Sequence, residues 1–136
     1  MKTLLNFIWL IFGGFAMFLG YILAGVVAAI FIVTLPMSIA LLRIAGFIIW
    51  PFGQSVVRKP QAGVGSTLMN VVRFLIGGLW HSIGHLVSAA LLTLTIIGIP
   101  LAIAHIKLIP VSCFPFGKMV VPAAAANAHN VVVTVR

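Results

Sequence analysis

Two histidines in the second half of the chain have a spacing that could support chemistry. His81 and His85 are four positions apart, so on a helix they share one face and could hold Zn²⁺ or Cu²⁺, with His105 as a third ligand. The chain contains no Asp or Glu, so no carboxylate can orient the imidazole rings. We interpret these histidines as helix-packing or interfacial residues, and we predict neither a metal site nor a cofactor.

The absence of carboxylates also restricts catalysis. It excludes a Ser-His-Asp triad and a pair of catalytic carboxyl groups, and it removes the commonest proton-carrying groups of membrane pumps. Cys113 is the one cysteine and lies in an apolar run, where a free thiol behaves as a small hydrophobic group. We therefore predict that the protein is not an enzyme.

Two basic residues, Arg43 and Lys107, each interrupt an apolar run. A charge within a membrane is costly, and without an acid in the chain its partner must be water, a backbone carbonyl, a lipid phosphate or a bound anion. In one interpretation both side chains extend to lipid headgroups. In the other they face each other across a pseudo-twofold axis and attract an anion, and Asn6 and Asn70 add amide donors.

The overall composition indicates an integral membrane protein. Hydrophobic residues make up 63% of the chain and charged residues 6%, whereas soluble domains carry about 25% charged residues. The eight Lys and Arg residues are scattered and form no dense cluster that could follow a nucleic-acid backbone. We therefore expect the lipid bilayer and its anionic headgroups as partners, and no nucleic acid.

The elements that must position these residues occur twice. Residues 3–57 align without gaps on residues 67–121, and Asn6 falls on Asn70 at the same offset that places Arg43 on Lys107. Glycines and prolines recur at this offset as well. The glycines, predicted to let helices pack closely, are Gly13, Gly14, Gly20, Gly77, Gly78 and Gly84; the prolines, predicted to break or end helices, are Pro36, Pro100, Pro51 and Pro115.

The repeat predicts an all-α membrane protein of two tandem helical hairpins, each with a long helix, a proline break and a short helix, giving about four apolar helical segments. The predicted parts are a first repeat at 1–57, a polar linker at 58–66, a second repeat at 67–121 and a loosely ordered tail at 122–136. The long apolar runs exceed the thickness of a bilayer core, so we expect each to tilt, to kink at its Gly-Gly pair, as at Gly13-Gly14, or to begin as an interfacial segment.

Two topologies fit the repeat. If both helices of each repeat cross the membrane, the repeats are parallel, most basic residues fall on one face, and both termini are cytoplasmic. If the short run enters and leaves on one face, the repeats are inverted, as in many transporters, and the charge bias nearly disappears. The charge distribution favours the parallel arrangement.

The second repeat contains Thr95-Ile-Ile-Gly-Ile-Pro, a Lys seven positions after that proline, and Pro115-Phe-Gly; it begins with Asn70 and an aromatic residue at Phe74. The first repeat has the looser Thr34-Leu-Pro and Pro51-Phe-Gly. These motifs resemble those of the YccF family of bacterial proteins, also described as the inner membrane component domain family. The resemblance covers about residues 1–121 and implies a small multi-pass protein of the bacterial inner membrane, with two such domains and no established activity.

The function we expect is that of a structural or accessory component of a membrane transport system. The alternative is a small oligomeric channel or transporter with an anion-attracting site at Arg43 and Lys107. A homo-oligomer and a subunit of a transporter are both compatible with the sequence.

Overall fold

Each repeat begins with a long apolar helix that is interrupted at its Gly-Gly pair. The computed structural model describes residues 1–128 and 131–135. The α-helices are α1 (Lys2–Trp9), α2 (Phe15–Ile30), α3 (Leu35–Ile49), α4 (Val64–Arg73), α5 (Leu79–Leu92) and α6 (Gly98–Cys113). The strands are β1 (Gln54–Arg58), β2 (Lys118–Pro122) and β3 (Val131–Val135).

The interruptions are single wide helical turns at Leu10–Gly14 and Phe74–Gly78. In the first repeat, Phe12 and Gly13 leave helical geometry, and Gly13 has φ of 147°. Residues with a side chain rarely adopt this φ, which is why glycine occupies the position. The kink expected at the Gly-Gly pair is therefore present in the first repeat.

The repeated prolines lie at the start of the short helix of each repeat and just after its end. Pro36 and Pro100 occupy the first turns of α3 and α6, where a missing backbone N–H breaks no helical hydrogen bond. Pro51 and Pro115 come directly after the same two helices. The proline pattern therefore coincides with the boundaries of the two short helices.

Within each repeat the long and short helices form an antiparallel hairpin, α2 against α3 and α5 against α6. In the first hairpin, the hydroxyl of Ser38 donates to the carbonyl of Gly25 at 2.7 Å. Three stretches in the described part of the chain are long and apolar enough to cross a bilayer, Lys2–Ile30, Ile32–Ile49 and Val64–Leu92, and Gly98–Cys113 is a shorter apolar helix. The predicted fold class, tandem helical hairpins with about four apolar segments, is confirmed.

A small antiparallel sheet of order β2-β1-β3, which was not predicted from the sequence, joins the two repeats. Strand β1 follows the first hairpin and pairs with β2, which follows the second, so that Gln54 lies opposite Pro122 and Arg58 opposite Lys118. The side chains of Val56, Val133 and Val135 join the same hydrophobic core as the helices. The sheet therefore ties the ends of the two repeats together.

The tail differs from the prediction of a loosely ordered segment. Residues 123–128 form a short 3₁₀ helix, and Val131–Val135 pair with β1 as an edge strand. Val133 and Val135 are buried. These β-branched residues lie outside the sequence repeat, favour the extended conformation, and gain apolar contacts by adding a strand to the sheet. The structural description does not include His129, Asn130 and Arg136.

Candidate functional site at the junction of the two repeats

Residues at matching positions of the two repeats meet at two places. Val56 pairs with Val120 in the sheet, and the hydroxyl oxygen of Tyr21 lies 3.4 Å from Nε2 of His85 between the hairpins. Both pairs have the offset of the sequence repeat, so an approximate twofold axis passes through the sheet and through the centre of the helices. The matched pair that meets at this axis among the helices is Tyr21 and His85.

Tyr21 and His85 belong to a buried chain of hydrogen bonds. Tyr21 donates to the hydroxyl of Ser112, which donates to the carbonyl of Leu108 at 3.0 Å. The tyrosine oxygen is then free to accept from Nε2–H of His85. Nδ1 of His85 becomes an acceptor in that tautomer, and Nδ1–H of His105 donates to it at 2.9 Å. Each residue of the chain therefore donates to the next. His105 on α6 donates to His85 on α5, His85 donates to Tyr21 on α2, and Tyr21 donates to Ser112 on α6.

His105 ends this chain inside the protein. Its ring packs against the indole of Trp9, with centroids 4.3 Å apart, and its Nε2 has no hydrogen-bond partner among the residues that the structure describes. A Cβ atom at Gly13 would lie 3.3 Å from this nitrogen, so the irregular backbone of the first repeat borders it. This histidine of the second repeat therefore connects the kink of the first repeat to the chain of hydrogen bonds between the hairpins.

The predicted histidine pair is divided between two environments. His85 belongs to the buried chain, whereas the half-buried ring of His81 packs on Tyr21, with centroids 4.2 Å apart. Nδ1 of His81 lies 2.9 Å from the carbonyl of Gly77 and 3.3 Å from Nη2 of Arg73. Within residues 1–128 and 131–135, no three His or Cys residues are grouped so that they could hold a metal ion.

Asn6 and Asn70 make equivalent pairs of hydrogen bonds in the two repeats. The side-chain amide of Asn6 donates to the carbonyl of Phe52 at 3.1 Å, and its oxygen accepts from the N–H of Phe52 at 2.9 Å. Asn70 makes the same pair of bonds to Phe116, at 3.2 and 2.8 Å. Each asparagine clamps the end of its repeat to the beginning, so these amides serve the backbone and do not point at a shared anion.

The repeated glycines have different neighbours. Gly14 leaves room for the indole of Trp9, and Gly77 for the guanidinium of Arg73. Gly78 approaches the backbone of Cys113, where a Cβ would be 3.2 Å from Cα, and Gly84 lies beside the side chain of Met17. A Cβ at Gly20 would meet nothing within 4 Å. Close packing of helix backbones therefore applies to Gly78, whereas Gly14 and Gly77 accommodate large side chains of their own helices.

Arg43 and Lys107 are exposed side chains that reach the sheet. Nη1 of Arg43 lies 3.5 Å from the carbonyl of Lys118 in β2, and Nζ of Lys107 donates to the carbonyl of Thr134 in β3 at 3.2 Å. These two strands flank β1 on opposite sides. The structure consequently does not bring the two cations together.

Lys118 is a further cation at this end of the molecule. Its ammonium donates to the carbonyl of Pro110 at 3.1 Å and lies 5.9 Å from the centroid of the Phe114 ring. Partial burial, together with the nearby charge of Arg58, lowers the pKa of Lys118 to about 8. This lysine is therefore held less firmly in its charged form than a lysine in water.

Three residues that contact the histidines or extend their chain of hydrogen bonds were not predicted from the sequence, namely Tyr21, Ser112 and Arg73. The repeat contained a signal for two of them. Tyr21 is the only tyrosine and aligns with His85, and Arg73 aligns with Trp9 inside the long apolar helix. Ser112 aligns with Ile48 and carried no such signal.

Comparisons with known proteins agree with this architecture. The family model described as the inner membrane component domain, YccF, matches the chain twice, at residues 4–54 and 68–118. The inner membrane protein YccF of Escherichia coli (strain K12) is 31% identical over 137 residues, which cover 94% of this chain and 93% of that protein. The protein of the same name from Shigella flexneri matches to the same extent. No solved structure matches the chain. Two family matches that coincide with the two hairpins, and relatives that align over nearly the whole length, show that this inner-membrane protein belongs to the YccF family.

Proposed function

We propose that the protein is a non-catalytic accessory component of a membrane transport system, and that both termini face the cytoplasm. The observation that carries this proposal is the position of Arg43 and Lys107. Each is exposed and reaches a backbone carbonyl of a different strand. Cations in such positions stabilise the protein at a membrane surface and contact anionic headgroups.

One of the grooves between the hairpins supports the same proposal. This groove, of about 330 Å³, is lined by Ile8, Phe12, Leu92, Thr95, Ile97, Gly98 and Leu101. This lining is almost wholly apolar, and an ion that entered it would lose its hydration without compensation. This groove is therefore poorly suited to conduct ions and better suited to packing against other membrane components.

The proposed orientation rests on the clamps and the sheet. Asn6 and Asn70 hold the start of each repeat to its end, and the strands that follow pair with one another. If the sheet lies at one membrane surface, the two repeats start and end there. The positive-inside rule then assigns that surface, with Arg58, Lys59 and Lys118, to the cytoplasm.

Flux measurements on the pure protein test the functional proposal. The full chain is reconstituted into vesicles of phosphatidylethanolamine and phosphatidylglycerol, and chloride and phosphate fluxes are compared with those of empty vesicles. We expect no flux above leakage. Flux that disappears in the Arg43→Ala/Lys107→Ala variant would contradict the proposal and favour an oligomeric channel.

Photo-crosslinking in cells tests the accessory role directly. A photoreactive amino acid is placed at Leu23, which is 66% exposed on α2, and in a control at the buried Leu41. We expect Leu23 to form a crosslink with one membrane transport protein and Leu41 to form none. If Leu23 forms crosslinks only with a second copy of this chain, the result would count against the proposal that the protein is an accessory subunit.

A further inference from the structure

Arg73 is the only Lys or Arg that is buried in the part of the chain that the structure describes. It is 2% exposed, at the end of α4, and aligns with the neutral Trp9 of the first repeat. A buried guanidinium is costly unless its charge and its five N–H groups have partners. The surroundings of Arg73 therefore indicate whether the protein alone supplies those partners.

The described residues satisfy this guanidinium poorly. Its Nε has no hydrogen-bond partner within residues 1–128 and 131–135. Nη2 of Arg73 lies 3.3 Å from Nδ1 of His81, but Nδ1 of His81 is also 2.9 Å from the carbonyl of Gly77. If Nδ1 donates to that carbonyl, it cannot accept from Arg73, so the two contacts exclude each other. Because the contact to the carbonyl is the shorter one, we assign the proton of His81 to Nδ1, and in this tautomer His81 offers Arg73 no acceptor.

The missing negative charge cannot come from an acidic side chain of this protein, because the chain contains no Asp or Glu. Arg73 also borders a groove of about 360 Å³ between the two hairpins. Apart from Arg73, Thr34 and His81, the groove is lined by a glycine, Gly77, and by apolar residues that include Ala28 and Trp80. Its size is within the range of about 300–1,000 Å³ that is typical of small-ligand sites.

From these contacts we infer that Arg73 binds the phosphate of an anionic phospholipid, whose acyl chain lies in the groove between the hairpins. A guanidinium and a phosphate form paired, charge-assisted hydrogen bonds, which meet the unpaired donors and supply the missing charge. The apolar walls accept a hydrocarbon chain. This site is separate from Arg43 and Lys107, and it does not depend on the proposed accessory role.

The repeat provides an internal comparison. At the matching position, the indole of Trp9 donates to the carbonyl of Ile48 at 2.7 Å, so this buried polar group is satisfied within the protein. The groove on that side, bordered by Ile8 and Phe12, has no cation in its lining. One site per chain is therefore expected, on the side of Arg73.

Native mass spectrometry of the detergent-solubilised full chain tests the site. Phosphatidylglycerol, phosphatidylcholine and palmitate are titrated separately. We expect one tightly bound phosphatidylglycerol per chain, with an affinity about tenfold or more above that for phosphatidylcholine. Arg73→Gln should abolish this preference, Arg73→Lys should retain part of it, and Lys2→Gln, which removes an exposed cation, should leave it unchanged.

Ala28→Phe provides a second test, because it fills the groove and leaves Arg73 in place. It should weaken the binding of phosphatidylglycerol even if Arg73→Gln does not fold, and circular dichroism establishes which variants are folded. Equal affinity of the natural chain for phosphatidylglycerol and phosphatidylcholine would overturn the inference. So would an unchanged preference in folded Arg73→Gln, or saturation by palmitate without binding of the phospholipid.

Discussion

Asn6 shows how one side chain can close a membrane repeat. Its amide satisfies both backbone groups of Phe52 in a fully buried position. Asn6→Ala leaves the N–H and the carbonyl of Phe52 unpaired, at a cost of about 1–3 kcal/mol for each buried group. We expect Asn70→Ala to lower the free energy of unfolding by less, because Asn70 is only half-buried.

Thermal unfolding in detergent measures this difference. Thr3→Ala is the control, since Thr3 is an exposed polar residue on the same helix as Asn6. Equal midpoints for Asn6→Ala and Thr3→Ala would show that the clamp does not stabilise the protein.

Two glycines of the same long helix should differ in their tolerance of alanine. A Cβ at Gly14 would collide with the indole of Trp9, whereas one at Gly20 would meet nothing. Overpacking of this kind costs about 1–3 kcal/mol, so Gly14→Ala should unfold at a lower temperature and Gly20→Ala should not. Loss of stability in Gly20→Ala alone would contradict this account.

Lys118 should make stability depend on pH in the alkaline range. Its pKa is about 8 in the folded protein and is usually near 10.5, so the folded state releases this proton first. Between these two values the unfolded state binds more protons, and the free energy of unfolding rises with pH. Below pH 8 both states are charged and this contribution is constant.

Unfolding midpoints measured from pH 7 to pH 10 test the contribution of Lys118. Lys118→Met should flatten the rise, whereas the same substitution at the exposed Lys2 should preserve it. A rise of equal size in Lys118→Met would assign the effect to other groups.

At the level of single residues, the sequence predicted positions better than contacts. The repeat identified Asn6, Asn70, Arg43 and Lys107 as matched positions, but it could not show that the asparagines bind backbone or that the cations reach different strands. Those partners are distant in the chain, and periodicity carries no information about them. The sequence pattern did not distinguish Arg73 from a flanking charge, because a cation near the start of an apolar run usually lies at the membrane surface.

At the level of elements, the helices were predictable and the strands were not. Long apolar runs, the Gly-Gly pairs and the prolines locate the hairpins. The strands after Pro51-Phe-Gly and Pro115-Phe-Gly have five residues each, and each contains only two neighbouring valines, a pattern too short to predict a strand. They are identified as strands by their pairing with each other and by the pairing of β1 with β3.

Strand β3 is expected to stabilise the protein through its inward-facing valines. Val133 is 8% exposed, whereas Val131 is 47% exposed on the same strand. Val133→Ser should lower the free energy of unfolding by about 1–3 kcal/mol, because a buried apolar side chain becomes polar. Val131→Ser is the matched control and should have little effect. Equal effects of the two substitutions would indicate that β3 does not pack on the core.

At the level of the whole molecule, the proposed orientation can be tested with single cysteines, since the one natural cysteine, Cys113, is buried. We expect Leu94→Cys, at the turn between α5 and α6, to react with an impermeant maleimide added outside intact spheroplasts. Gln61→Cys, in the linker between the repeats, should react only after permeabilisation. Labelling of Gln61→Cys from outside, with Leu94→Cys protected, would reverse the orientation.

The central position of β1 has a consequence for the order of events during synthesis. Strand β1 is complete after residue 58, whereas its neighbours begin at Lys118 and Val131. The first hairpin can insert and close through its asparagine as soon as it leaves the ribosome, but both edges of β1 then stay open until the second hairpin has emerged. Open strand edges invite pairing with other chains. A ribosome that stalls within the second repeat should therefore leave an inserted but aggregation-prone nascent chain.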